Sequence, residues 1–212
     1  MQEVLARAQL RHVRLERGRA QALVIPACAP TADPGRRHEV ALVLHSLLAR
    51  LTGDAPASLR LERTGEGKPT LGGHAGLAFN VSHSRGYSLI AISSAGDIGC
   101  DIEDRFGDED VMGLCPAVLH SSELDALERL APQERQDAFR RYWVRKEAVL
   151  KAAGSGFLRD PRLVVTGLDQ PSATWLGEQG PAFLIHNRRI EAGCLAAVAS
   201  MDAACSWHLL DP

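Results

Sequence analysis

Three short stretches carry side chains able to do chemistry. In IGCDIED, beginning at Ile98, strand alternation sends Ile98, Cys100 and Ile102 to one side and Gly99, Asp101 and Glu103 to the other. Two carboxylates then share a face about 7 Å apart. That spacing lets both converge on one cation or its bound waters, and hard oxygen donors favour magnesium. Taken alone, the pair also fits the wet side of an edge strand. In WVRKEAVLK, Trp143, Glu147 and Lys151 recur one helical turn apart on a single face. A Glu-Lys pair at this spacing is common on helix surfaces and contributes about 0.2–0.5 kcal/mol. The tryptophan in the preceding turn suits a face closing over a site. FNVSHSRG places Ser82, His83 and Ser84 where a strand ends, so that hydroxyl, imidazole and backbone N–H groups can meet a phosphate. No G-x-S-x-G elbow surrounds Ser82 or Ser84, which leaves a serine nucleophile little support, and His83 equally fits a hydrogen-bonded turn residue. GEGKP puts Lys68 on a loop without P-loop spacing, where a solvated lysine is the plain alternative.

Around these stretches the hydrophobic pattern predicts the elements that position them. Pro26, Pro30, Pro34 and Gly35 break the chain before EVALVLHSLLARL, which reads as a helix ended by Gly53. A loop runs through GEGKP. LAFNVSH, YSLIAIS and DIGCDIE are short apolar runs divided by Arg85-Gly86 and Ala95-Gly96, the pattern of adjacent strands. The acidic FGDEDVMG reads as a connection, and Ser121 or Ser122 can cap a short helix through LDALERL. Pro132 to Ala153 reads as a long helix stopped by Gly154. RLVVTG, ATWLG, AFLIHN, CLAAVAS and CSWHLL then read as strands. Each half is a helix followed by strands, so the expected fold is α+β, with two similar halves at 1–104 and 105–212, although no residue-level repeat connects them.

Composition narrows the function classes. The 212 residues are 45% hydrophobic, enough for a sizeable core. With 24 Lys plus Arg against 26 Asp plus Glu, the formal charge is -2, and no global field draws the chain to nucleic acid or membrane. The five cysteines are scattered, with no C-x-x-C pair, which points away from a disulfide framework or zinc site and towards a reducing cytoplasm. No apolar run approaches membrane-spanning length, and the first residues, broken by Glu3, Arg7, Arg11 and Arg14, lack a signal-peptide core. A soluble protein is expected.

In this order, GKP, FNVSHS, IGCDIED and WVRKEAVLK, spanning residues 67 to 151, resemble the surfactin-synthetase type of 4'-phosphopantetheinyl transferase. The resemblance implies a pseudo-twofold fold of two similar α+β halves, with coenzyme A and magnesium in the cleft between them. It also implies an activity, holo-carrier synthesis: magnesium-dependent transfer of phosphopantetheine from coenzyme A to a serine of an apo acyl or peptidyl carrier protein. Carried over by motif, Asp101, Glu103 and Glu147 look like the acidic residues around the metal. Lys151 looks like the residue facing the coenzyme phosphates, and Lys68, Ser82 and His83 are similar to coenzyme-contacting positions. Arg37, at the start of the first long helix, resembles a family arginine that meets a coenzyme phosphate. Upstream the chain departs from the family, reading ACAPTADPG where relatives often supply further basic residues, which leaves the holder of the 3'-phosphate open.

On this reading Glu147 is a candidate base for the attacking serine or a metal ligand, Asp101 assists as ligand, and Lys151 stabilises charge on the departing 3',5'-ADP. Carriers of the class are acidic. Between Glu128 and Arg162 nine Arg or Lys face five acids, a local excess suited to such a partner, while most of these arginines also fit a solvated helix face. The stretch from Phe106 to Leu119, with Val111, Met112, Leu114 and Val118, is expected to add apolar contacts. The two halves complete the cleft within one chain, so a monomer is expected. Competing readings are a catalytically inactive coenzyme- or carrier-binding module and a metal-dependent nuclease, the latter disfavoured by the charge balance. Fatty-acid, polyketide and nonribosomal-peptide carriers are equally open.

Overall fold

The computed structural model describes residues 10–27, 34–104, 111–155, 159–177, 180–191 and 193–210. Two sheets lie face to face between two helices. The first sheet has the order β11-β1-β5-β4, from β1 (Arg19–Pro26), β4 (Ala78–His83), β5 (Tyr87–Ser93) and β11 (Ala204–Leu209). The second has the order β6-β10-β9, from β6 (Ile98–Glu103), β9 (Leu184–Glu191) and β10 (Cys194–Ser200). All pairs are antiparallel except β1 with β11, which run parallel.

The period-2 alternation of the strands assigns their faces. Ala20, Ala22 and Val24 of β1, Leu89 and Ala91 of β5, Ile98, Cys100 and Ile102 of β6, and Ala196 and Val198 of β10 form the core between the sheets. The opposite face of the first sheet, with Leu23, Phe79, Ile90 and Ile92, packs under Val40, Leu44, Leu47 and Leu48 of α1 (Pro34–Thr52). The outer face of the second sheet, with Ile185, Leu195, Ala197 and Ala199, packs under Val144, Ala148, Val149 and Ala152 of α4 (Pro132–Ala153). Two short helices precede α4, namely α2 (Cys115–Val118) and α3 (Ser121–Glu128), and two hairpins, β2 (Leu61–Arg63) with β3 (Pro69–Leu71) and β7 (Val164–Val165) with β8 (Thr174–Trp175), complete the chain.

Several elements differ from expectation. A strand, β1, precedes α1, so the first helix does not lead its sheet, and the GEGKP loop is the turn of the β2–β3 hairpin. The cap of α3 is His120, whose Nδ1 accepts from Ser122 N–H while Glu123 reaches back to His120 N–H. The helix starts at Ser121, so the hydroxyls sit one and two positions inside the cap. Phe106–Asp110 of the acidic connection lie outside the described residues, as do residues 28–33. Strands also exchange across residue 104: β6 joins β10 and β9, while β11 closes the edge beside β1.

Candidate active site

The site is assembled where α4 crosses β6. Gly99, Asp101 and Glu103 share the β6 face that looks at α4, and the contact is close because Gly99 has no side chain. A Cβ there would stand 2.2 Å from both Ala148 O and Ala152 N. Ala197 and Ala199 on the neighbouring strand keep the same face shallow. Small residues therefore seat the helix low enough for its polar face to reach the carboxylates.

On that face Lys151 Nζ lies 2.7 Å from Asp101 Oδ1 and 3.9 Å from Glu147, and donates to Ser82 Oγ at 3.2 Å. The Ser82 hydroxyl donates to the same Asp101 oxygen at 2.9 Å. Ser82, Asp101 and Glu147 are buried. Burial disfavours charge on Lys151, yet the charge and hydrogen bond of Asp101 hold its pKa above the usual lysine range, so it stays a cation. Burial, then the Asp101 charge, pushes the carboxyls of Glu103 and Glu147 up to about 7. The Trp143 side chain hydrogen-bonds Glu103 and opposes that shift.

Among the predicted residues, Ser82, Asp101, Glu147 and Lys151 converge, and Trp143 joins through Glu103. Asp101 is not on a wet face, being 4% exposed. The remaining predicted residues stand differently. Lys68 Nζ donates to Asp97 Oδ1 and to Ala152 O, both at 2.6 Å, so it caps the carboxyl end of α4. His83 is exposed, and its Nδ1 shares a 2.8 Å hydrogen bond with Ser88 Oγ. Arg37 is exposed in the first turn of α1. Two contributors escaped the sequence reading. Asp104 accepts the backbone N–H groups of Arg85 at 3.1 Å and of Gly86, tying the FNVSHSRG turn to the end of β6. Asn80 Oδ1 accepts Cys100 N–H at 3.0 Å, joining β4 to β6. Its position two residues before Ser82 on the alternating strand was the available signal.

Of these elements, β6 and α4 fall within the stretch matched by a family model, and β4 lies before it. The model of the 4'-phosphopantetheinyl transferase superfamily covers residues 97–199. The chain is also 32% identical over 162 residues to the 4'-phosphopantetheinyl transferase HetI of Nostoc sp., a match covering 74% of this chain and 67% of that protein. The chain belongs to the 4'-phosphopantetheinyl transferase superfamily. Further relatives are the putative 4'-phosphopantetheinyl transferase slr0495 of Synechocystis sp., 34% identical over 126 residues, and the 4'-phosphopantetheinyl transferase AcpT of Salmonella typhimurium, 34% identical over 123 residues. Each of these matches covers 58% of this chain, with 51% of the first relative and 62% of the second. The chain thus spans between half and two thirds of the length of its curated relatives.

The donor chemistry of this transferase-family site fits a hard divalent cation. Asp101 Oδ2 is buried and has no hydrogen-bond partner among the described residues, and a buried carboxylate oxygen left unpaired is costly. Glu103 and Glu147 supply further oxygens whose repulsion with Asp101 a cation would relieve. The cage is not preformed: among the described residues no three His, Cys, Asp or Glu side chains stand together at metal-holding geometry. Lys151 supplies the positive charge at Asp101 in this arrangement.

Proposed function

We propose that this chain transfers 4'-phosphopantetheine from coenzyme A to a serine hydroxyl of an apo acyl or peptidyl carrier protein, releasing holo-carrier and 3',5'-ADP. The observation that carries the reading is the Ser82–Lys151–Asp101 cluster, with Glu147 beside it, at the β6–α4 contact, of which Asp101, Glu147 and Lys151 lie inside the family-matched stretch. It puts one cation kept charged by its surroundings next to buried carboxylates, which is what handling a pyrophosphate requires. The ordered motifs support assigning the chain to the surfactin-synthetase type.

Asp101, Glu103 and Glu147 would hold magnesium. When bound, the metal neutralises pyrophosphate charge and orients it for in-line displacement. Lys151 faces the bridging phosphates, with Ser82 steadying its ammonium. Arg37, Lys68 and His83 are assigned to further coenzyme contacts; for Lys68 this entails leaving Asp97 and Ala152. The carrier serine oxygen bonds to the phosphorus bearing pantetheine, and the bond from that phosphorus to the departing 3',5'-ADP breaks. Glu147 accepts the serine proton, directly or through water. A carboxyl with a pKa near 7 suits that role, and Lys151 offsets the charge growing on the leaving phosphate. The halves 1–104 and 105–212 are taken as the two similar halves of a pseudo-twofold fold that exchange β6 and β11 between the two helix-on-sheet layers, and the enzyme as a cytoplasmic monomer. An acidic carrier would meet the basic residues between Arg129 and Arg162, apart from the buried Arg145 and Lys146, and exposed Leu114, 44% accessible. Phe106–Asp110 of the expected docking stretch lie outside the described residues, and Cys115 and Val118 are buried.

Intact-protein mass spectrometry of apo carriers incubated with the protein, coenzyme A and magnesium tests the reading. One phosphopantetheine gained per carrier, and none without magnesium, is the expected result. No gain on acyl or peptidyl carriers, despite coenzyme A binding, would leave an inactive binding module.

A further inference from the structure

The RKE run of α4 places three charged residues in succession, and the fold parts them. Glu147 joins the carboxylate site, whereas Arg145 and Lys146, 2% and 1% exposed, are engaged elsewhere in the protein. Lys146 Nζ lies 2.7 Å from Glu123 Oε2 and donates to the carbonyls of Pro161, at 2.9 Å, and Val164. An ammonium has three N–H donors, and these partners take all three, so Lys146 has no proton left for a phosphate. Glu123, on α3, accepts His120 N–H at 3.0 Å, Thr166 N–H at 2.9 Å and the Thr166 hydroxyl at 3.3 Å. Arg145 donates to Thr166 O at 2.8 Å and to Gln170 O. Charged side chains of α3 and α4 thus grip the backbone from Pro161 to Gln170.

A buried ion pair adds little net stability, since desolvation offsets its attraction, but a fully hydrogen-bonded one fixes geometry because any shift leaves a buried charge unpaired. Lys146 and Glu147 are neighbours, about 100° apart around the helix. Turning α4 to relax Lys146 therefore moves Glu147. Lys151 has its own anchors in Asp101 and Ser82, while the ion-pair partner of Glu147 among the described residues is Lys151, 3.9 Å away and beyond hydrogen-bond length. Glu147 depends on the seating of the helix more than Lys151 does.

We infer that Lys146 and Glu123 are positioning residues for the proposed transfer: their buried pair fixes the rotation of α4 and so places Glu147 for proton acceptance. This rests on the function proposed above. The competing account is that the pair serves folding alone.

The test compares Glu123→Gln and Lys146→Met with Phe183→Leu, a change in the apolar cluster under α4 that lowers stability without touching the pair. Transfer to an apo carrier is followed by mass spectrometry well below each melting temperature, with kcat and the KM for coenzyme A measured separately. The expected result is a kcat at least tenfold lower in Glu123→Gln and Lys146→Met, with KM within threefold of wild type. Phe183→Leu, melting as low or lower, keeps kcat within twofold. If Lys146→Met does not fold, Glu123→Gln decides, because it keeps the size and acceptor oxygen of the original. A folded Glu123→Gln with kcat within twofold of wild type overturns the positioning role alone. Inactive wild type overturns the transferase reading and the positioning role with it.

Discussion

The seating of α4 on β6 can be tested by adding one carbon, with Gly99→Ala. The new Cβ would stand 2.2 Å from Ala148 O and Ala152 N and 2.8 Å from Ala152 Cα. Ordinary van der Waals contact starts near 3.4 Å, so the shortfall is about 1.2 Å, and backbone atoms cannot swing aside as a side chain would. The helix must lift by about 1 Å, stretching the 2.7 Å Lys151–Asp101 contact beyond hydrogen-bond length. Overpacking of this kind costs about 1–3 kcal/mol, which for a chain of this size is a fall in Tm of about 2–12 °C. A misplacement of about 1 Å at reacting groups costs about 100-fold in rate. We expect Gly99→Ala to remain folded by circular dichroism, to melt within that lowered range, and to lose about two orders of magnitude in kcat for carrier loading. A variant with wild-type Tm and kcat within threefold would refute the reasoning, since it would mean that the helix yields without disturbing Lys151 or Glu147.

Further expectations follow from the same geometry. Asp101→Asn keeps the side-chain shape but removes the charge that holds Lys151, and is expected to cut transfer about 100-fold with circular dichroism unchanged; activity near wild type would exclude Asp101 from the reaction. Glu103 and Glu147 have folded pKa values near 7, raised above their ordinary value of 4.5. The stability they confer is therefore full below about pH 4.5 and lost as pH rises through about 7. In the presence of EDTA, Tm should decline over that interval less steeply in Glu103→Gln than in wild type, and magnesium should raise Tm near pH 7, all readable by scanning calorimetry. Lys68→Met removes a cation from the carboxyl end of α4 and should lower Tm by about 2–4 °C, corresponding to about 1 kcal/mol; an unchanged Tm would show that the cap carries no weight.

Groups set by local periodicity were legible in the sequence. Strand alternation puts Asp101 and Glu103 together, and helical spacing puts Trp143, Glu147 and Lys151 together, because each relation is internal to one element. Pairing between distant segments was not. β1 has a four-residue apolar run between Gln21 and Pro26, and its partners are β5 and the last strand, β11, which no local pattern reports. The β2–β3 hairpin has strands of three residues, β2 exposed throughout and β3 half-buried to buried, and so has little alternation to read. Lys146 and Arg145 looked like part of a basic surface; spacing alone does not distinguish a solvated cation from one whose donors are taken by backbone carbonyls of a later loop. The same holds for Lys68, whose partner carbonyl, Ala152, belongs to a different element.

The site also explains why the strands exchange between the two halves of the sequence. β4 is the edge of the first sheet and β6 the edge of the second, and edge strands leave backbone groups unpaired. Asn80 satisfies one of them by accepting Cys100 N–H, and one step along the same seam Ser82 meets Asp101. The first sheet thus supplies the hydroxyl, the second the carboxylate, and α4 the ammonium that joins them. Such a seam exists only while the sheets are docked, and both crossings favour docking. β6 leaves the sheet of β5, its neighbour in sequence, to pair with β10, and β11 returns from the second sheet to close the edge of β1. Pulling apart the sequence halves on either side of residue 104 would therefore break the β1–β11 and β6–β10 pairs as well as the core between the sheets. A chain that must hold three elements of different origin within hydrogen-bond distance has reason to be knitted in this way.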